Sequence, residues 1–198
     1  MSFALSERGY EVTGVDIDKR VIDIAKQIAA GRLRSPRFEV ADFSNPALLQ
    51  PEFYDLVVCS EVLEHIEYYH TVIQNIYATL KPGGCVIITV PYDPSKWSVL
   101  DEYGGHVRRY TIPQISRDLS QYTNLKITVT GFQFYRMLVC LYLAKIRLFK
   151  QQHSNEALWE RSSMRLLAGI LYPFIRVDNL FAFTRLGDTL IAIANKPS

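Results

Sequence analysis

The groups able to do chemistry in this chain gather in a few short runs. The apolar segment 54–59 ends in Cys59-Ser60-Glu61 and continues as Val62-Leu63-Glu64-His65; a second run, 101–110, contains Gly104-Gly105, His106, Arg108, Arg109 and Tyr110. Imidazoles titrate near neutral pH, so His65 and His106 can serve as a general base or orient an acceptor. Arg108 and Arg109 can pair with phosphate or carboxylate. Structural alternatives stand beside each reading: His65 can pack and cap at a helix start, and the two arginines can cross-brace Asp101 and Glu102. Asp16 and Asp42 each follow a short strand-like run. A carboxylate at a strand end can accept two hydrogen bonds from ribose hydroxyls, a task closed to lysine. That feature alone also fits a nicotinamide-dinucleotide fold. Asp42 can instead open an Asx turn, and Asp18 is the better N-cap for the helix that follows Asp16.

These residues need a scaffold, and the hydrophobic pattern supplies one. Residues 2–8 read as the tail of a helix stopped at Gly9, and 11–15 as a strand delivering Asp16. Residues 19–30 place Val21, Ile22, Ile24, Ala25 and Ile28 at helical spacing, closed by Gly31. A second strand, 37–41, ends at Asp42. The segment 54–59 is nearly all apolar, the pattern of a strand buried on both faces of a parallel sheet. A helix over 68–80 turns Val72, Ile73, Ile76 and Leu80 inward; Lys81-Pro82-Gly83-Gly84 stops it, and 85–90 forms the next strand. A long loop is expected over 92–110, with its glycine pair permitting a tight or mobile turn. Thr111 caps a helix over 112–122. Strands follow at 125–132 and 188–194, with a helical insertion between them over 134–185. Alternating strands and helices of this length imply βαβ units.

The runs Glu61-Val62-Leu63-Glu64-His65, Leu80–Gly84 (LKPGG) and Gly14–Asp18 (GVDID) resemble the class I S-adenosylmethionine-dependent methyltransferases, in the group that includes the quinone-biosynthesis enzymes. The resemblance implies a Rossmann-like α/β sandwich, mostly parallel, with an antiparallel C-terminal strand and strand order 3-2-1-4-5-7-6. It also implies S-adenosylmethionine as cofactor. Asp16 would hold the ribose, Asp42 the adenine amino group, and Ile17 and Phe43 the two adenine faces. Cys59, Ser60 and Glu61 would lie beneath the methionine moiety, and Arg108, Arg109 and Tyr110 would face the acceptor. Strand one and its glycine-rich turn have no counterpart before Gly14, so the reading expects an N-terminally incomplete methyltransferase domain over 1–198. Three functions compete: a methyltransferase acting on a small-molecule or lipidic acceptor, a catalytically inactive methyltransferase-like partner or scaffold, and a nucleotide-dependent oxidoreductase. The last fits Asp16 but not a closing strand after a long insertion.

With 198 residues, 48% of them hydrophobic, the chain can bury one good-sized core, so a single domain is expected. A net charge of +2 without a dense basic run argues against nucleic acid as partner. Cys59, Cys85 and Cys140 lack CxxC spacing and read as buried thiols in a reducing compartment, so no metal site is expected. The first residues do not form a secretory signal, and no uncharged apolar run reaches the ~20 residues of a membrane span. A cytoplasmic protein is the expectation. Residues 134–185 carry eight Lys/Arg against three Asp/Glu among many aromatics. Such a segment either caps the acceptor site or rests in a membrane interface.

Overall fold

The computed structural model describes residues 1–46, 49–131 and 187–198, in two compact units, Met1–Gln50 and Pro51–Ser198. The expected insertion over 134–185 lies outside the described residues. Among the described residues no helix is long and apolar enough to cross a membrane.

In the first unit, helix α1 (Ser2–Glu7) precedes strand β1 (Thr13–Asp16), helix α2 (Lys19–Ala29) and strand β2 (Arg37–Val40). β1 and β2 are parallel, with Thr13 opposite Arg37 and Asp16 opposite Val40. Asp18 caps α2 as its residue type suggests, its carboxylate accepting the Arg20 N–H at 2.8 Å. The apolar stripe of α2 departs from expectation. Ile22 is buried, whereas Val21, Ile24 and Ile28 are exposed. The helix packs on its two-stranded sheet through one narrow line, and a two-stranded sheet is too small to cover a wide apolar arc.

In the second unit, β3 (Tyr54–Ser60) leads through a single 3-10 turn, Leu63–His65, to α3 (Tyr69–Thr79) and β4 (Leu80–Pro91). Tyr69, Val72, Ile73 and Ile76 of α3 are buried, and so is Leu80, now the first residue of β4. Helix α4 (Val99–Gly104), α5 (Ile112–Asp118), β5 (Thr123–Thr130) and β6 (Thr189–Asn195) complete it. The sheet order is β3-β4-β6-β5, with β3 and β4 parallel and β6 antiparallel to both its neighbours. Its buried centre is Val86, Ile88 and Val90 of β4 with Leu190, Ala192 and Ala194 of β6.

Within each unit the pairings follow the expected order, β2 beside β1 in the first and β3-β4-β6-β5 in the second. β3 departs from expectation. Its apolar run predicts burial on both faces, yet only Cys59 is buried and Leu56 is 41% exposed. Among the described residues β3 pairs only with β4, so it is an edge strand of its sheet, and an edge strand has half the neighbours of a central one.

Candidate active site

The first unit brings two acids to one edge. Parallel pairing sends the carboxyl ends of β1 and β2 the same way, and the Ala41 N–H donates to the Asp16 carbonyl at 3.1 Å, carrying Asp42 alongside. Asp16 Oδ1 accepts the Asp18 N–H at 2.8 Å, which fixes its carboxylate at the mouth of the β1–α2 turn. Ile17 beside it is 73% exposed, an apolar surface with nothing of its own unit over it. Asp42 Oδ1 accepts the Ser44 N–H at 2.8 Å, an Asx turn that orients the carboxylate and holds it below its ordinary pKa, chiefly through the Ser44 bonds. Phe43 follows directly. A carboxylate and an exposed aliphatic side chain at the carboxyl edge of a parallel pair suit the nucleoside half of S-adenosylmethionine.

The second unit gathers its own group of polar side chains around the end of β3. Cys59 is buried and its thiol is pushed up to about 12, first by burial and then by the Glu64 and Glu61 carboxylates, so it is a neutral thiol at physiological pH. Glu61 has φ +51°, a left-handed conformation that a side chain with Cβ enters at a cost of about 1–3 kcal/mol. Thr89 holds it there: the Glu61 N–H donates to the Thr89 carbonyl at 3.0 Å, and Thr89 Oγ1 donates to Glu61 Oε1 at 2.9 Å. The hydroxyls of Ser60 and Thr89 are 2.9 Å apart; since Thr89 gives its proton to Glu61, Ser60 is the donor.

The 3-10 turn then buries Glu64 completely, its side chain 0% exposed. Neither Glu64 oxygen has a hydrogen-bond partner among the described residues. Burial, reinforced by Glu61, pushes its carboxyl up to about 8. Glu64 Oε1 faces His65 Nε2 at 3.8 Å and His106 Nε2 at 4.0 Å, and the two imidazoles meet edge to face, 4.9 Å between centroids.

His106 reaches this point because 99–104 is helical where a loop is expected. Ser98 and Asp101 form a capping box: Asp101 Oδ2 accepts the Ser98 N–H at 2.8 Å, and the Ser98 side chain accepts in return. The signal lay in Ser98-Val-Leu-Asp101, with an acid three residues after the serine. Gly105, at φ +71°, ends α4 in the left-handed region, and Gly104 leaves room for the imidazole: a Cβ there would sit 3.1 Å from His106 Nε2. Backbone bonds join the loop to the turn, the Val107 N–H donating to the Glu64 carbonyl at 2.8 Å.

Arg109 differs from the acceptor-facing role expected of it. Its side chain is 3% exposed, and it donates to Asp101 Oδ1 at 2.7 Å, Asp188 Oδ1 at 2.8 Å and the Tyr92 carbonyl at 2.9 Å. Burial would raise the Asp101 carboxyl, but hydrogen bonds from Arg109, His106 and Ser98 prevail and hold it below its ordinary value. Tyr110 is also buried, its ring edge-on to Tyr69. Arg108 keeps more exposure; it donates to the Glu67 carbonyl at 2.9 Å and lies over the Tyr69 ring. Of the three residues expected to face an acceptor, Arg108 retains the accessible position. Asp101 braces Arg109, the structural alternative the sequence offers for this arginine; Glu64 is visible in the sequence only as part of the Glu61–His65 run, and Thr89 carries no local signal.

An α/β fold with acids at the carboxyl ends of parallel strands is a nucleotide-type ligand binder. Residues 1–128 match the family model for a methyltransferase domain, so the chain belongs to the class I S-adenosylmethionine-dependent methyltransferase family. It is 32% identical over 89 residues to the ubiquinone biosynthesis O-methyltransferase of Idiomarina loihiensis, covering 45% of this chain and 37% of that one. The Leptothrix cholodnii enzyme of the same name is 33% identical over 91 residues, covering 45% and 38%. The chain thus spans under two fifths of the length of these relatives. Among solved structures, phosphoethanolamine N-methyltransferase 2 of Haemonchus contortus, in complex with S-adenosyl-L-methionine, aligns with a TM-score of 0.62 at 20% identity, over 98% of this chain and 45% of its own. A SAM-dependent methyltransferase from Archaeoglobus fulgidus aligns at 0.59 and 16% identity, over 98% and 80%. The fold is that of the family.

Proposed function

We propose that this chain serves S-adenosylmethionine-dependent methylation of a hydroxyl group on a small-molecule or lipidic acceptor. The observation that carries this reading is the Glu64, His65 and His106 cluster immediately beyond β3, in a domain of methyltransferase descent. S-Adenosylmethionine, when bound, supplies a methyl group on a sulfonium. The protein's share is to hold the acceptor oxygen in line and ease the loss of its proton as the O–CH3 bond forms and the S–CH3 bond breaks. A nitrogen or anionic acceptor would have less use for so polar a cluster. The O-methyltransferase names of the relatives agree with an oxygen acceptor, and the basic, aromatic composition of 134–185 favours a lipidic one held near a membrane surface. A second reading, an inactive methyltransferase-like partner or scaffold, draws on the outer edge of β3, along which no strand of the described residues lies.

Methyl-labelled S-adenosylmethionine, incubated with the chain and a panel of phenolic acceptors with and without polyprenyl tails, separates the two. Label in an ether-linked product supports the enzyme; calorimetric silence toward S-adenosylmethionine together with no product supports the scaffold. Asp16→Ala should weaken cofactor binding by about 1.5–3 kcal/mol, the usual cost of removing hydrogen bonds to a charged group. An unchanged affinity would remove Asp16 from the cofactor site.

A further inference from the structure

We infer that Thr89 is a positioning residue for the cofactor, holding Ser60 and Glu61 so that both present hydrogen-bond acceptors to the ammonium of its amino-acid tail. Thr89 is half-buried in β4, opposite Ser60 of β3 in the parallel ladder. From that place it meets one turn in several ways. Its carbonyl accepts the Glu61 N–H at 3.0 Å. Its hydroxyl donates to Glu61 Oε1 at 2.9 Å and lies 2.9 Å from Ser60 Oγ.

The count of protons decides what this turn offers. A carboxylate only accepts, so the single Thr89 hydroxyl proton goes to Glu61. Ser60 must then give its own proton to Thr89 Oγ1, and the lone pairs of Ser60 Oγ are left as acceptors. Glu61 Oε2 takes no hydrogen bond from the described residues. Ser60 and Glu61 are both exposed. A hydroxyl that has spent its proton, beside a negative carboxylate, suits an alkylammonium, which carries three N–H donors and no acceptor.

Thr89 is the one hydroxyl-bearing residue of β4. Valine has the same branched shape and suits a strand equally well, so strand packing gives no reason for the hydroxyl. The turn gives one. At φ +51° Glu61 lies in the left-handed region disfavoured for a residue with Cβ, and a free glutamate side chain explores many rotamers. Bonded through both its N–H and Oε1, it keeps one arrangement, and its ordering precedes the arrival of the cofactor. This role rests on the methyl-transfer reading, which supplies the cofactor.

The test compares S-adenosylhomocysteine, which carries the amino-acid tail, with methylthioadenosine, which lacks it, each titrated by calorimetry. Thr89→Val should weaken S-adenosylhomocysteine about tenfold, the worth of one hydrogen bond to a charged group, and leave methylthioadenosine within about twofold. Thr89→Ser, which retains Oγ, should recover most of the loss. In a Glu61→Gln background the Val substitution should add little, because Thr89 acts through that carboxylate. Circular dichroism checks folding; Thr89→Ala gives the same comparison should the Val variant fail to fold. Equal weakening of the two ligands, or an S-adenosylhomocysteine affinity indifferent to Thr89→Val, would overturn the inference and leave the methyl-transfer reading intact. Binding of neither ligand by the unaltered chain would overturn both.

Discussion

Arg109 shows how a side chain can be necessary to a site without meeting an acceptor. Its guanidinium forks between Asp101 and Asp188 and also reaches the Tyr92 carbonyl, linking α4, the end of β4 and the approach to β6. Through Asp101 it fixes the His106 ring, so it is a positioning residue. Arg109→Met should cost about 3–5 kcal/mol of unfolding free energy, because it leaves Asp101 charged, buried and short of its strongest donor. Urea denaturation measures this. Arg109→Lys should fall between, since an ammonium keeps the charge but cannot span two carboxylates with one planar fork. A loss under 1 kcal/mol for the Met variant would show that the buried network contributes little. A paired arginine and an acceptor-binding arginine look alike in sequence; Asp101 nearby offers the pairing, and Asp188, 79 residues away, completes it.

At the scale of elements, the α2 N-cap offers a direct acid test. Hydrogen bonds from the Arg20 side chain and backbone hold Asp18 down to about 2 from an ordinary 3.8. A depressed carboxyl contributes stability that is complete above its ordinary value and is lost as pH falls through the folded one. The first turn of α2 should therefore fray between about pH 4 and pH 2. Asp18→Asn keeps a capping oxygen without a titrating group and should flatten that response. Amide exchange at Arg20 follows it; an identical acid response in the Asn variant would refute the cap's role. The Asp18 cap, α3 and the strand ends at Asp16 and Asp42 were legible in the sequence because each is set by neighbours a few residues away. The burial of β3 was not. Its apolar run reports the environment of a central strand, and burial depends on a lateral neighbour that no local pattern encodes. The α4 helix was missed for a different reason: the glycine pair suggested a loop, while the capping box before it decided the conformation. The Glu64 cluster was half legible, since Glu64 and His65 adjoin but His106 arrives by a turn the sequence reading left open.

The whole second unit depends on its last described strand. β6 lies between β4 and β5, pairing Cys85 with Asn195 on one side and Lys126 with Ile193 on the other. The Lys196 side chain adds a bond to the Leu80 carbonyl at 2.8 Å. A chain ending at Thr130 should therefore lack a cooperative unfolding transition, although it contains every residue of the Glu64, His65 and His106 cluster. Thermal scanning calorimetry decides; a sharp transition in that shortened protein would mean that β3 and β4 close a core without β6. The same placement bears on how the protein is made. Synthesis runs from the N-terminus, so β4 leaves the ribosome and must wait about a hundred residues for its partner. Throughout that interval the edge of β4 that β6 will pair with is open, and the apolar face bearing Val86, Ile88 and Val90 is incompletely covered. A nascent chain halted before β6 should therefore be captured by holding chaperones, and one released after β6 should not.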